Sequence, residues 1–140
     1  MLFAMKTLYR LEDDKRQGVY TTLVFDELLE EFGIMWPTDR SPSPIDDTLL
    51  KKNYEKHPKL SILDKSTVRY CFDSKAKLLK WFDENFLRKA FALGLKVVVY
   101  NDVPDALVIE GESQDVMTMK AYTKYKYVTI VTFEDFQKLS

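Results

Sequence analysis

The fold is decided by the stretch from Arg69 to Ile109, which reads RYCFDSKAKLLKWFDENFLRKAFALGLKVVVYNDVPDALVI. The segment from Thr67 to Phe72 is rich in β-branched and aromatic residues, which predicts a strand. Asp73 or Ser74 can cap a helix directly after it. The apolar face of that helix carries Leu78, Leu79, Trp81 and Phe82.

The second half of this stretch predicts another helix and another strand. Asp83 to Asn85 interrupts the first helix, and the second presents Phe86, Leu87, Ala90 and Phe91 to the interior. Gly94 ends it, because glycine adopts the left-handed conformation that closes helices. Lys96 to Tyr100 is an apolar run typical of a strand covered on both faces. Asn101 to Asp105 predicts a turn.

The N-terminal flank predicts a strand from Lys6 to Leu11, followed by a charged turn from Glu12 to Gly18. Alternation along the strand places Leu8 and Arg10 on one face. A helix is predicted over Leu23 to Phe32, where apolar residues recur at helical spacing.

The remaining segments complete an α+β pattern. Asp46 or Asp47 can cap a short helix that runs through Tyr54, inside a loop-rich region from Ile34 to Pro58. Thr132 can cap a terminal helix. Three more strands are predicted, over Ala106 to Ile109, Val116 to Ala121 and Tyr127 to Val131. We therefore predict one compact domain, residues 1–140, with a mixed, mostly antiparallel sheet and three to four helices.

Composition excludes several classes of function. The 140-residue chain has a formal net charge of -1, so it lacks the broad basic surface of nucleic-acid-binding or anionic-membrane-binding proteins. No apolar run is long enough to span a bilayer. The single cysteine, Cys71, lies in a strand pattern and is predicted to be a buried, reduced thiol, which indicates a cytoplasmic protein.

Metal and phosphate-loop chemistry is not expected either. His57 is the only histidine and Cys71 the only cysteine, so a zinc cluster cannot form. The pairs Asp13-Asp14 and Asp46-Asp47 are typical of turns and caps. The four glycines stand alone, which argues against a phosphate-binding loop. We expect no metal cofactor.

The segment from Lys120 to Tyr127 alternates lysines with tyrosines. Such a segment can hold phosphates and stack on bases. It is equally typical of an edge hairpin, because lysine protects exposed edges and tyrosine forms strands well. The near-neutral total charge favours the hairpin, so nucleic acid is not an expected partner.

Several polar residues fall where predicted strands end and can meet at one edge of the sheet. They are Arg10, Ser74, Gln114 and Asp115, with Tyr9, Tyr20 and Tyr70 as possible ring partners for a ligand. Capping and solvation are the alternative roles for each of them.

The order of these motifs resembles that of small ADP-ribosyltransferase-like domains. The matching motifs are Tyr9-Arg10, Tyr70-Cys-Phe-Asp-Ser74, Val98 to Val108, and Glu112-Ser-Gln-Asp-Val116. The same layout is similar to short proteins of bacteriophages and their hosts.

The resemblance implies NAD as a ligand. Arg10 would contact the ribose and phosphates of NAD, and Ser74 or Tyr70 would support the second strand of the site. Gln114 stands where the family has a glutamate that binds the nicotinamide ribose, so Glu112 or Asp115 would have to supply the carboxylate. The resemblance therefore nominates Gln114 and Glu112 as catalytic residues.

Two functions follow from the sequence. The first is a phage-type protein that binds NAD or a related nucleotide. The second is a non-catalytic inhibitor that binds a host protein of an antiphage-defence complex, through the proline-rich loop or the segment from Lys120 to Tyr127. A polar pocket that joins Arg10, Ser74 and Gln114 would favour the first.

Overall fold

The computed structural model describes residues 4–18, 27, 28, 30, 44–62 and 67–139. The strands are β1 (Met5–Glu12), β2 (Val68–Cys71), β3 (Lys96–Pro104), β4 (Val108–Ile109), β5 (Asp115–Thr118) and β6 (Tyr127–Ile130). The helices are α1 (Thr48–Tyr54), α2 (Lys75–Trp81), α3 (Glu84–Ala92), α4 (Met119–Lys124) and α5 (Phe133–Gln137). The predicted α+β class is confirmed.

The strands form two three-stranded sheets, in the orders β1-β3-β6 and β2-β5-β4. Every described strand pair is antiparallel, so the described part of the chain contains no parallel pair of the kind a mixed sheet requires. Tyr9 and Phe72 join the two sheets through two reciprocal backbone hydrogen bonds of 2.8 and 2.9 Å.

Side-chain caps define α2 and α3 as the sequence predicts. The Ser74 hydroxyl accepts a hydrogen bond from the Lys77 amide, and the Asp83 carboxylate accepts one from the Phe86 amide. Gly94 has a φ of 92°, which only glycine adopts without strain. α3 therefore ends at the predicted residue.

The central strand β3 is buried on both faces. Val97 and Val99 pack with α2, α3 and α5, in a cluster that includes the predicted core residues Trp81 and Phe82. Val98 and Tyr100 point to the opposite face, because successive strand residues alternate. The prediction of a doubly covered strand is confirmed.

Cys71 is fully buried on that second face. Burial raises the pKa of its thiol well above the ordinary value, since the thiolate would lose its hydration. The predicted burial of this free thiol is confirmed.

Two predicted segments are wrong. Asn101 to Asp105 does not form a turn, because β3 continues to Pro104 through a register shift opposite Lys6 to Leu8, where Asp102 has a φ of 57°. An irregularity of this kind bends a strand without ending it. The buried Val103 then pairs with Lys6.

The segment from Lys120 to Tyr127 is not an edge hairpin. Thr118 caps α4 by accepting a hydrogen bond from the Ala121 amide, so the strand predicted over Val116 to Ala121 stops early. Ala121 and Tyr122 are buried under the sheet, and this burial favours the helix.

Two further predictions fall wholly or partly outside the described residues. Of the helix predicted over Leu23 to Phe32, only Glu27, Leu28 and Glu30 are described, and all three are helical. The proline-rich part of the loop, residues 37–42, also lies outside.

The predicted cap of α1 is confirmed as Asp47, whose carboxylate accepts a hydrogen bond from the Leu50 amide.

Candidate functional site

A buried carboxylate, Glu12, organises the face of the sheet opposite α2 and α3. It lies two residues after Arg10 on β1, so both side chains point to the same face. Glu12 is fully buried, and its Oε2 accepts hydrogen bonds from Arg10 Nε at 2.8 Å and from the Tyr100 hydroxyl at 2.5 Å. Burial and the neighbouring carboxylate raise the pKa of Tyr100 above its usual range, although Arg16 opposes this. The hydroxyl therefore stays protonated and donates.

The turn after β1 returns a second arginine to the same carboxylate. The Asp13 carboxylate accepts hydrogen bonds from the backbone amides of Lys15 and Gln17, which closes the turn. Arg16 has a φ of 62°, a left-handed conformation that is uncommon for arginine. Its Nη2 donates to the Tyr100 hydroxyl at 2.8 Å, and its Nε lies 3.6 Å from Glu12 Oε1.

Three guanidinium groups gather around the ring of Tyr122. The distances from the guanidinium carbon to the ring centroid are 4.2 Å for Arg16, 5.1 Å for Arg69 and 5.6 Å for Arg10. Cations at such distances are attracted to the electron-rich face of an aromatic ring. The Tyr122 hydroxyl donates to the backbone carbonyl of Arg16 at 2.8 Å, which fixes the ring.

These groups form one unit that we call the arginine–tyrosine cluster. It comprises Arg10, Glu12, Arg16, Arg69, Tyr100, Tyr122 and Tyr127, whose ring lies 4.5 Å from the Arg16 guanidinium carbon. Three guanidinium groups and one carboxylate leave an excess of two positive charges. The Arg16 side chain is 32% exposed, so the cluster reaches solvent. Among the described residues, the buried atoms Glu12 Oε1 and Arg16 Nε have no hydrogen-bond partner, and they face each other as an ion pair.

A second polar cluster surrounds the fully buried Asp115 on β5. Its carboxylate accepts hydrogen bonds from Lys77 Nζ at 2.9 Å and from the backbone amides of Gly111 and Asp73 at 3.0 and 2.7 Å. Lys77 also donates to the Gly111 carbonyl and lies 3.2 Å from Asp73. This cluster ties α2 to the loop before β5, and its hydrogen bonds explain it as a structural clamp.

The structure brings two of the predicted site residues together. Arg10 Nη1 donates to the backbone carbonyl of Tyr70 at 2.8 Å. Burial raises the pKa of the Tyr70 phenol to about 12, and its hydroxyl finds no hydrogen-bond partner in the part of the chain that the structure describes. Ser74 caps α2 instead, through the bond from the Lys77 amide.

The other nominated residues lie in the loop before β5. Gln114 is buried, and Glu112 is exposed. The Glu112 and Ser113 amides both donate to the Asp47 carboxylate at 3.0 to 3.1 Å, which fixes the loop. Within the described part of the chain, no hydrogen bond or ion pair links Arg10 to Ser74, Glu112 or Gln114.

Of the ring partners suggested by the sequence, Tyr70 meets Arg10 through its backbone carbonyl, and its ring packs instead with the separate cluster that contains Leu50 and Ile109. Tyr9 packs with the core on the opposite face of β1, as alternation requires, and Tyr20 lies outside the described residues. Sequence reasoning missed Glu12, Arg16 and Tyr122. The sequence could have indicated Glu12, because it lies two residues after Arg10 and therefore shares the inward face of β1 with Leu8 and Arg10.

These features define a small α+β protein. On one face of its β1-β3-β6 sheet it carries a cationic cluster that is mostly buried and reaches solvent at Arg16. The family described as Bacteriophage T4 Y00F protein matches residues 5–131, and the chain belongs to that family. No curated protein and no solved structure matches the chain. The predicted relation to phage proteins is confirmed, and the likeness to ADP-ribosyltransferase domains stays a prediction. No helix among the described residues is long and apolar enough to cross a membrane.

Proposed function

We propose that this phage protein binds NAD or a related nucleotide at the arginine–tyrosine cluster. The observation that carries the proposal is the excess of two positive charges around Tyr122, which includes Arg10, the residue nominated for phosphate contact. Guanidinium groups bind phosphate oxygens in a bidentate manner, and a pyrophosphate offers matching negative charge. Exposed Tyr127 adds a ring on which a base can stack.

The resemblance to ADP-ribosyltransferase-like domains would extend this proposal to a reaction. In it, Gln114 and Glu112 would face the nicotinamide ribose. Both lie in the loop that Asp47 holds in place, so that loop would have to approach the cluster when ligand binds. The proposal concerns binding. Turnover would be detected as release of nicotinamide from NAD.

Isothermal titration of the protein with NAD, ADP-ribose and inorganic pyrophosphate tests the proposal. Arg69→Gln is the most informative variant, because Arg69 lies over Tyr122 and donates to the Val68 carbonyl, whereas the hydrogen bond and ion pair to Glu12 come from Arg10 and Arg16. Arg88→Gln is the matched control, since Arg88 is an exposed arginine over a different ring, that of Phe133. We expect NAD binding to weaken about tenfold or more in Arg69→Gln, which corresponds to the loss of one charge-assisted contact.

Salt dependence supplies a second readout. Binding that depends on phosphate contacts should weaken as salt rises, because exposed charges are screened. Absence of heat at millimolar NAD, or equal effects of Arg69→Gln and Arg88→Gln, would overturn the proposal.

A second candidate function is inhibition of a host or antiphage-defence complex by direct binding. Exposed Lys120, Lys124 and Lys126 favour it, because they form a local basic surface beside the exposed ring of Tyr127. Such a surface fits an acidic protein partner.

Charge reversal tests this candidate with a control from the same chain. Lys120, Lys124 and Lys126 are changed to Glu in one variant, and the exposed Lys51, Lys52 and Lys56 of the α1 region in another. Capture from host lysate at low salt should lose a specific partner only with the first variant. Equal capture by both variants would contradict the candidate.

A further inference from the structure

The last strand of the first sheet, β6, forms an open edge within the part of the chain that the structure describes. Among the described strands, β6 pairs only with β3. Tyr127 and Val128 are 45% and 54% exposed, and Val131 just beyond the strand is 55% exposed. The four strand residues Tyr-Val-Thr-Ile carry no charge. Natural proteins protect such edges with charges, proline or a covering element, because an open edge pairs with other strands.

The hydrogen-bond pattern shows which backbone groups face outward. The Asn101 amide donates to the Lys126 carbonyl across the β3–β6 pair. Hydrogen-bonded and non-hydrogen-bonded pairs alternate along antiparallel strands. The backbone groups of Val128 and Ile130 therefore point toward β3, and those of Tyr127 and Thr129 point to the open edge.

The sequence around β6 is complementary to itself. Exposed Lys124 and Lys126 precede the strand, and exposed Glu134 and Asp135 follow it. In an antiparallel pair of two identical strands, the basic end of one strand meets the acidic end of the other. A strand from a different protein would match these charges only if acidic residues lay at one of its ends and basic residues at the other.

We propose that β6 pairs with β6 of a second copy of this chain, antiparallel about a two-fold axis at Val128. In this register Tyr127 lies opposite the partner's Thr129, and the outward amides and carbonyls of both strands are satisfied. The β1-β3-β6 sheets of the two copies then join into one continuous six-stranded sheet. Tyr127 shares a face with Tyr100, so the dimer carries both arginine–tyrosine clusters on the same face.

Disulfide trapping tests the register directly. The two Val128 residues form a non-hydrogen-bonded pair on the axis, where Cα atoms lie about 4.5 Å apart and a disulfide can form. Val128→Cys should cross-link rapidly under mild oxidation. Val131→Cys is the matched control: it is equally exposed, but three residues from the axis it lies too far from its counterpart. Cys71 is buried, so it should not form intermolecular disulfides that would be mistaken for cross-linking at residue 128.

Sedimentation of the unmodified chain tests the association itself. The wild type should sediment as a dimer, and Thr129→Pro should raise the dissociation constant at least about tenfold, because proline removes an outward amide. Thr129→Val should remain dimeric. If Thr129→Pro does not fold by circular dichroism, Val128→Lys replaces it, since it places two like charges opposite each other at the axis.

Three results would overturn the inference. They are a wild type that is monomeric at millimolar concentration, equal cross-linking of Val128→Cys and Val131→Cys, or a folded edge variant that dimerises as well as the wild type. The first result, together with partner capture that the Lys120, Lys124 and Lys126 reversal abolishes, would assign the edge to a host protein instead.

Discussion

Replacement of Glu12 by glutamine should destabilise the protein more than the loss of a single hydrogen bond. Glu12 is fully buried, and the Arg10 side chain that it pairs with at 2.8 Å is only 7% exposed. Removal of one partner from a buried ion pair leaves the other charge without compensation, at a cost of about 3–5 kcal/mol.

We expect the lower end of this range, about 3 kcal/mol, because a glutamine oxygen still accepts from Tyr100 and Arg10. Arg16 adds less to this cost, because its Nε lies 3.6 Å from Glu12 Oε1, beyond hydrogen-bond distance. Urea denaturation measures the effect. With a slope of about 1–3 kcal/mol per molar urea, the midpoint should fall by at least about 1 M.

Tyr100→Phe is the matched control for this experiment. It removes the two hydrogen bonds of the Tyr100 hydroxyl, to Glu12 at 2.5 Å and from Arg16 at 2.8 Å, but leaves the ion pair between Glu12 and Arg10 intact. We expect a cost of about 1–2 kcal/mol. If Glu12→Gln proves no more destabilising than Tyr100→Phe, the carboxylate does not compensate the buried guanidinium, and our account of the cluster is wrong.

The other predictions concern the core, a cap and alkaline pH. Trp81→Ala should lose about 3–5 kcal/mol of unfolding free energy, since the side chain is 6% exposed in the main core, and an unchanged denaturation midpoint would contradict its placement. Asp47→Ala should cost more than the roughly 1 kcal/mol of an ordinary cap, because its carboxylate also holds the Glu112 and Ser113 amides; Ser74→Ala, which removes a cap alone, is the comparison. Burial raises the pKa of Tyr70 to about 12 in the folded state. The unfolded phenol ionises from about pH 10, so folding stability should fall as pH rises between the two values. Tyr70→Phe should show a shallower alkaline loss in urea midpoints, and an identical pH profile would refute this.

The parts of the fold that sequence reasoning predicted depend on short-range interactions. Ser74 and Asp83 cap helices by binding amides three residues ahead, and Gly94 ends α3 through its own backbone angle. Alternation along β1 likewise placed Leu8 and Arg10 on one face. Each of these signals lies within a few residues of its consequence, so the chain reveals them without tertiary information.

The candidate site depends instead on contacts between distant residues. Tyr100 is 88 positions from Glu12, and Tyr122 is 106 positions from Arg16. No local pattern connects these pairs. The helix α4 was missed for a related reason, because its sequence alternates like a strand and only the burial of Ala121 and Tyr122 beneath the sheet selects the helix.

The arginine–tyrosine cluster is a costly way to stabilise a fold. Each buried charge loses its hydration, and well-packed apolar residues of similar size commonly stabilise proteins as well or better. Arg16 adds backbone strain through its positive φ, and within the described part of the chain the buried Glu12 Oε1 accepts no hydrogen bond. The Asp115 cluster differs in this respect, because hydrogen bonds from Lys77, Gly111 and Asp73 compensate its carboxylate. A strained, partly exposed cluster with an excess of positive charge is typical of an anion-binding site, because the phosphate oxygens of a ligand can accept hydrogen bonds from guanidinium groups. This contrast is the physical reason for proposing the ligand site at the arginine–tyrosine cluster, and for interpreting Lys77 and Asp115 as structural.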